Sequence, residues 1–204
     1  MVASRVPSSF PILSMRTILV IDYDPAWPGL FRELCARVLP VVKDFALSVE
    51  HVGSTSVPGL AAKPIIDMNI VIPAEDDVPL AITRLATIGY THRGNLGVEG
   101  REAFVHPAGL PSHHLYVSPQ GSPGLRNHLA LRDYLRSHPE AAREYGELKR
   151  ELARRFPRDI DAYVDGKTDF ILAILRNAGL SSGHLDAIER ENRTVEERRK
   201  RQGA

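Results

Sequence analysis

Two hydrophobic periods run along this chain, and the change from one to the other falls near residue 120. In the first half the apolar runs are short and bounded by Gly, Pro and Asn, as strands are. Thr17–Ile21 is a β-branched run and predicts a strand. Asp24-Pro25 opens a helix, with Asp24 as N-cap and Pro25 in the first turn. Leu30, Phe31, Leu34, Val38 and Leu39 give that helix one apolar face, and Pro40 marks its end. Phe45–His51 alternates weakly and leads into Gly53-Ser54. Ile65–Ile72 is the most apolar run and predicts the most central strand. Pro79–Ile88 reads as a helix ended by Gly89. Tyr90–Arg93, Arg101–His106 and His113–Val117 read as short strands between turns.

Beyond Pro119–Gly124 the period becomes helical. Leu125–Phe156 predicts two helices broken at Pro139, with Ser137 or His138 near the cap. Ile160–Ala178 predicts a third, with Tyr163, Val164, Phe170, Ile171 and Ile174 turned inward. Strands first and helices after is an α+β layout. The expected organisation is an N-terminal extension over 1–15, one domain over 16–178 (strand-rich over 16–118, helical over 121–178), and a charged helix or tail over 179–204. In that tail, Glu189–Arg193 and Glu197–Arg201 are i, i+4 pairs that support a solvated helix, and Arg198–Arg201 is a short basic end. Met1–Ser14 holds one arginine and is broken by Pro7 and Pro11, a poor secretory signal; it reads as an extension or as an upstream misread start.

Composition narrows the classes. A chain of 204 residues, 43% hydrophobic, can bury one core. A formal net charge of +1 gives no bulk electrostatic case for nucleic acid or a membrane surface. The single cysteine, Cys35, allows no internal disulfide and suits a reducing cytoplasm; its helical spacing with Phe31, Leu34 and Val38 makes it a small core residue. No apolar run reaches membrane length.

The chemistry gathers between Val52 and Ile72. Gly53 lets the backbone approach a ligand, and Ser54, Thr55 and Ser56 bring hydroxyls. Asp67 and Asn69 are two apart on a strand, so their side chains leave one face, while Ile66, Met68 and Ile70 fill the other. A carboxylate on so apolar a strand needs a partner. A loop of free N–H groups and hydroxyls beside two oxygen ligands suits a metal-bound phosphate ester. Lys63 is either a phosphate clamp or a solvated turn lysine before Pro64. His113 and His114 point to opposite faces; His114 and Tyr116 share one. Tyr145/Lys149 and Tyr163/Lys167 are i, i+4 pairs, with tyrosine packed over a lysine stem or with both lysines overhanging a cleft and neutralising an anion. Gly166-Lys167-Thr168 imitates the end of a Walker A loop, but Asp161 stands at the first glycine and a helix precedes it.

Gly53-Ser54 followed by Asp67-x-Asn69 resembles the Gly-Ser…Asp-x-Asp/Glu signature of the nucleotidyltransferase superfamily. The fuller string from His51 through Val52-Gly53-Ser54-Thr55-Ser56-Val57-Pro58-Gly59-Leu60 to Asp67 resembles the GrpB family, a branch of that superfamily. The similarity extends to Tyr23–Pro28, Gly94–Glu102, His113–Val117, Phe156-Pro157 and Gly166–Phe170, so it covers roughly Ile21 to Leu175. It implies a nucleotidyltransferase-like mixed sheet flanked by helices, with the helical C-terminal half closing one side of a cleft. It also implies a Mg²⁺-dependent nucleotidyl or phosphoryl transferase acting on a small molecule, with a nucleoside triphosphate or other phosphorylated compound as partner. In that reading Asp67 and Asn69 hold the metal, and Asp67, Asn69 and His114 are catalytic. Gly53, Ser54, Thr55, Ser56, Lys63, Arg101, Tyr116, Lys149 and Lys167 bind substrate. The family pattern has an aspartate where Asn69 stands, which weakens a two-metal site and leaves one-metal or binding-only roles open, and a second histidine where Tyr116 stands, which weakens a His-x-His metal site. The alternative is a degenerate nucleotidyltransferase-fold module that binds a ligand, a protein partner or a second copy of itself; the family-like domain fused to dephospho-CoA kinase, suggested to assist folding or stability, is the model for it. For an Asp67-centred cleft, at least two of Lys63, Arg101 and Lys167 are expected within reach of the carboxylate.

Overall fold

The computed structural model describes residues 17–190 apart from His184 and Ala187. The expected extension over 1–15, the Glu189–Arg193 and Glu197–Arg201 pairs and the Arg198–Arg201 cluster lie wholly or partly outside those residues. The order is α1 (Trp27–Val42), β1 (Ser48–Val52), a 3-10 turn (Ser54–Ser56), β2 (Ile66–Ile72), α2 (Val78–Ala86), β3 (Thr91–His92), β4 (Glu102–Val105), β5 (His113–Pro119), α3 (Pro123–Ser137), α4 (Pro139–Arg155), α5 (Ile160–Asp165) and α6 (Thr168–Asn177). The strands form one mixed sheet in the order β1-β2-β5-β4-β3. β2 runs antiparallel to β1 and parallel to β5, and β4 runs antiparallel to both of its neighbours. A mixed sheet flanked by helices, with the C-terminal half helical, is the α+β layout expected from the sequence.

The period-two pattern of β2 divides the molecule. Ile66, Met68, Ile70 and Ile72 join Leu115 and Val117 of β5 under α1 and α2, packing on Leu34, Val38, Val42, Ala81 and Leu85. Each fully buried aliphatic side chain of this kind contributes about 1.5–3 kcal/mol, so this face supplies the bulk of the hydrophobic stabilisation. The other face carries Glu50, Asp67, Asn69, His114 and Tyr116 side by side, because the register pairs Glu50 with Asn69, Asp67 with His114, and Asn69 with Tyr116. Helices α3 to α6 stand over that face. A second apolar cluster there joins Val57 and Leu60 to Leu135, Ala142, Tyr145 and Ile174.

Five local expectations need correction. Thr17–Val20 is not a strand; only Ile21 bridges, to Ala62, while Ile18 donates to the Pro157 carbonyl. Pro40 does not end α1, which continues to Val42. Proline removes one N–H from the helix ladder, and full burial of Val38 and Val42 holds the last turn in place. Asp24 does not cap the helix as N-cap; it sits one turn-step earlier and accepts the Ala26 N–H at 2.8 Å, with Ala26 at the N-cap. β5, not β2, holds the middle place in the sheet. β2 is apolar because it is covered on both faces. The segment expected to be one helix over Ile160–Ala178 is two, with Gly166-Lys167 at the break. A Cβ on Gly166 would meet Leu152 Cδ2 at 2.5 Å, so α5 leaves its axis where it touches α4. Packing also continues past residue 178, since Leu185 and Ile188 are buried against Leu172 and Leu175. Among the described residues no helix is long and apolar enough to cross a membrane.

Candidate functional site

The β1–β2 connection builds the floor of a cavity of about 420 Å³, within the range of small-molecule sites. Gly53 has φ of +68°, a conformation glycine adopts without strain. It turns the chain directly beneath Asp67, close enough that a Cβ would lie 2.2 Å from Asp67 Oδ2. The 3-10 turn that follows is fixed from both sides. Ser56 Oγ donates to the Gly53 carbonyl at 2.6 Å, and the Arg136 guanidinium donates twice to the Ser56 carbonyl, at 2.8 and 3.0 Å. Arg132, one helical turn earlier on α3, bonds Glu50 at 2.8 Å, Asp133 at 2.7 Å and the His51 carbonyl at 3.2 Å. α3 is thereby tied to β1 and to the Gly-Ser turn.

Ser54 turns its hydroxyl into the cavity, where it accepts from Lys149 Nζ at 2.7 Å. Lys149 comes from α4, is 3% exposed, and lies over the Tyr145 ring. Burial, reinforced by the charge of Lys167, holds its amine well below the ordinary lysine value. Lys167 and Lys63 flank the Tyr163 ring, 4.7 and 5.7 Å from its centroid. Lys167 is pulled down to about 8 by burial and then by Lys63, with Asp67 opposing. Burial lowers Lys63 as well, again against Asp67. Arg101 lies over the Tyr116 ring at 4.6 Å. Burial, with the Asp67 charge, pushes the Tyr116 phenol up to about 12, so it stays a neutral donor at physiological pH. Asp67 is therefore one carboxylate facing four basic side chains, and its Oδ1 is bonded to His114 Nδ1 at 2.8 Å.

Of the expected site residues, the structure brings Gly53, Ser54, Thr55, Lys63, Asp67, Arg101, His114, Tyr116, Lys149 and Lys167 to this one cavity. All three of Lys63, Arg101 and Lys167 line it beside Asp67, though Lys167 reaches it from a helix break rather than from a long rigid helix. Ser56 and Asn69 lie outside the lining. Asn69 is fully buried. Its amide nitrogen donates to Ser118 Oγ at 3.1 Å and lies 3.4 Å from His128 Nδ1, while its Oδ1 is buried without a partner. His113 is a core histidine, 2.8 Å from the Tyr90 hydroxyl and 2.7 Å from the Pro111 carbonyl.

These contacts decide what metal the residues present can hold. Mg²⁺ is bound through one or two carboxylates with phosphate oxygens and water completing the octahedron. Asp67 has one oxygen beyond its bond to His114 and fits a single ion shared with a phosphorylated ligand. Asn69, fully buried on the same face and outside the cavity lining, does not fit as a second ligand, and Tyr116 stands where a further acid would be needed. Among the described residues no group of three or more His, Cys, Asp or Glu side chains is arranged to hold a metal.

Sequence reasoning missed the contribution of α3. Asn127, His128, Leu131, Arg132 and Leu135 line the cavity. Burial, aided by Arg101, holds His128 at about 4, so it is neutral above that pH. The signal was present: His128, Arg132 and Arg136 are spaced i, i+4, i+8 and form one polar stripe. On a charged helix such a stripe is indistinguishable from a solvated face until the helix is docked.

Comparison with known proteins bears on the fold and the family. The GrpB protein family model matches residues 17–177. The UPF0157 protein YqkA of Bacillus subtilis (strain 168) is 37% identical over 171 residues, which is 84% of this chain and 50% of that protein. A dephospho-CoA kinase of Mycolicibacterium paratuberculosis is 28% identical over 188 residues, 79% of this chain and 46% of that one. The chain thus spans about half the length of each of these two curated relatives. The crystal structure of the conserved protein GrpB from Enterococcus faecalis superposes with a TM-score of 0.71 at 38% identity, covering 78% of this chain and 96% of that one. The fold and the cavity belong to one class, a mixed sheet with a Gly-Ser turn beside a strand-borne aspartate. This chain belongs to the GrpB family.

Proposed function

We propose that the cavity binds the phosphate groups of a nucleoside triphosphate or another phosphorylated small molecule and passes a nucleotidyl or phosphoryl group to a small acceptor. The observation that supports this best is that Lys63, Lys149, Lys167 and Arg101 line one cavity around a single carboxylate, with Lys149 bonded to the Ser54 hydroxyl. Burying several amines in one cavity is costly, and an anionic ligand offsets that cost by favouring their charged forms. Phosphoryl transfer asks the protein mainly for positioning and charge stabilisation, which this arrangement supplies. Lys63, Lys167 and Arg101 would meet the charge on the transferring group, Ser54 and Lys149 would fix a terminal phosphate, and His114 would orient Asp67. A single Mg²⁺ held by Asp67 would supply Lewis-acid polarisation of the phosphoryl oxygens.

The protonation of Lys167 gives this reading a pH dependence. An anion binds the charged amine, so affinity is full below about 8 and falls as pH rises through that value. Isothermal titration with inorganic triphosphate between pH 6.5 and 9.5 should show weakening of about tenfold per pH unit above that point. Affinity that stays level to pH 9.5 would remove Lys167 from the site.

Burial of Asn69 favours a second reading, a module that binds without turnover. The relative named dephospho-CoA kinase matches this chain over less than half of its length, which suits an accessory role beside another domain or a second copy. Transfer from α- and γ-labelled nucleoside triphosphates to a pool of small acceptors with Mg²⁺ separates the two. Label transfer abolished by Asp67→Asn supports the transferase; binding without transfer, unchanged in Asn69→Asp, supports the module. Asn69→Asp should also lower the melting temperature, because it places a carboxylate at a position with no exposed surface and costs about 2 kcal/mol or more.

A further inference from the structure

Ser54 and Lys149 have a relation that phosphate binding does not require. A lysine that serves only as a phosphate clamp is best left charged and facing the ligand. Lys149 instead is 3% exposed, and the bond it makes is to the Ser54 hydroxyl, at 2.7 Å, rather than to a carboxylate. Its amine lies over the Tyr145 ring at 4.5 Å, so its approach to Ser54 is held from behind. Ser54 is half-buried, lines the cavity, and follows a glycine with φ of +68° in a turn anchored by Arg136. A hydroxyl on a rigid turn, within hydrogen-bond reach of a desolvated amine, is the nucleophile–base pairing of serine–lysine hydrolases. Burial and the neighbouring Lys167 charge favour the neutral amine, the form able to accept a proton. The cavity is also chemically mixed. Lys63, Lys167 and Arg101 line it, and so do Leu131, Leu135, Ile171 and Leu175. A phosphate chain makes no use of those aliphatic side chains, whereas an acyl group does.

We infer that Ser54 and Lys149 form a nucleophile–base pair that cleaves an acyl ester or thioester whose other portion carries a phosphate or carboxylate. Lys149 Nζ takes the Ser54 Oγ proton as Oγ bonds to the acyl carbon. The bond from that carbon to the leaving oxygen or sulfur breaks, and the Lys149 ammonium returns the proton to the departing group. Water then attacks the acyl-serine with Lys149 again as base, releasing the carboxylic acid and regenerating the Ser54 hydroxyl. The carbonyl oxygen's developing charge faces the Lys63 and Lys167 amines. This goes beyond nucleotide binding and needs neither a nucleotide nor a metal.

The test is covalent. The full chain, without nucleotide or Mg²⁺, is treated with a fluorophosphonate probe, and the adduct is located by peptide mass spectrometry. A single adduct on Ser54 is expected, with Ser54→Ala unlabelled and Lys149→Met slowed about a hundredfold or more. Lys149→Arg keeps a cation of similar reach but is too basic to act at neutral pH, so it should be slowed equally; it decides the matter if Lys149→Met does not fold. Hydrolysis of p-nitrophenyl butyrate should follow the same order and rise with pH as Lys149 loses its proton. An unlabelled wild type, labelling undiminished in Ser54→Ala, or Lys149→Arg labelled at the wild-type rate would each overturn the proposal. Nucleotide binding measured separately keeps the two readings apart, since either can fail while the other stands.

Discussion

Lys149→Met should raise the melting temperature of the free protein and remove most of its affinity for phosphate esters. The amine is 3% exposed and has a serine hydroxyl and an aromatic face as its company. Those contacts offset only part of the cost of burying the amine, whose charged form burial disfavours. Methionine follows a similar path with an unbranched, adaptable side chain and leaves no charge behind. Replacing buried charged groups by apolar ones of similar volume is often stabilising, so a gain of about 1 kcal/mol or more is expected by thermal denaturation. The same change deletes a charge-assisted hydrogen bond to ligand, worth about 1.5–3 kcal/mol, or roughly ten- to a hundredfold in Kd. Stability and binding should therefore move in opposite directions. A lysine kept for structure would give the reverse: a lower melting temperature and unchanged affinity.

Gly53→Ala should have the largest cost to folding of any single methyl added near the cavity. The new Cβ would lie 2.2 Å from Asp67 Oδ2, 2.8 Å from its Cγ and 2.9 Å from its Cβ. Rotating the carboxylate relieves the first contact but not the last, because Cβ is fixed by the β2 backbone. The φ of +68° adds strain for any residue with a side chain. A loss of about 3 kcal/mol is expected from chemical denaturation. Since β1 and β2 are paired through Val52 and Asp67, relief by backbone movement would open the end of that ladder. Folding to within about 0.5 kcal/mol of the wild type would show that the turn is looser than the contacts require.

How much of this could be read from the sequence follows from where each signal originates. The face shared by Asp67 and Asn69, and the one shared by His114 and Tyr116, follow from a period of two, and the strand pairing then sets Asp67 beside His114. Gly53 and Ser54 carry their own turn chemistry. By contrast, burial is not a property of spacing. Asn69 has the residue type and position of a metal ligand, yet it is fully buried, with Tyr116 beside it in register on β5 and His128 of α3 3.4 Å from its amide nitrogen. The stripe His128, Arg132, Arg136 looks like a solvated helix face, and only docking on β1 turns Arg132 and Arg136 into anchors of the Gly-Ser turn. Pro40 and Gly166 misplace helix ends for related reasons. Core burial of Val42 outweighs a missing N–H at Pro40, and contact with Leu152 at Gly166 breaks a pattern whose apolar spacing runs on.

The central claim is that four basic side chains around Ser54 and Asp67 form an anion site for phosphorylated small molecules. Thermal denaturation across a panel of nucleoside triphosphates, inorganic triphosphate and sugar phosphates, with and without Mg²⁺, tests it most directly. A ligand at a hundred times its Kd stabilises by about 2.7 kcal/mol, so at least one phosphorylated compound should raise the melting temperature by several degrees in the wild type and fail to do so in Lys149→Met. If no phosphorylated compound shifts the wild type at millimolar concentration, the cavity is not a phosphate site and the account is wrong.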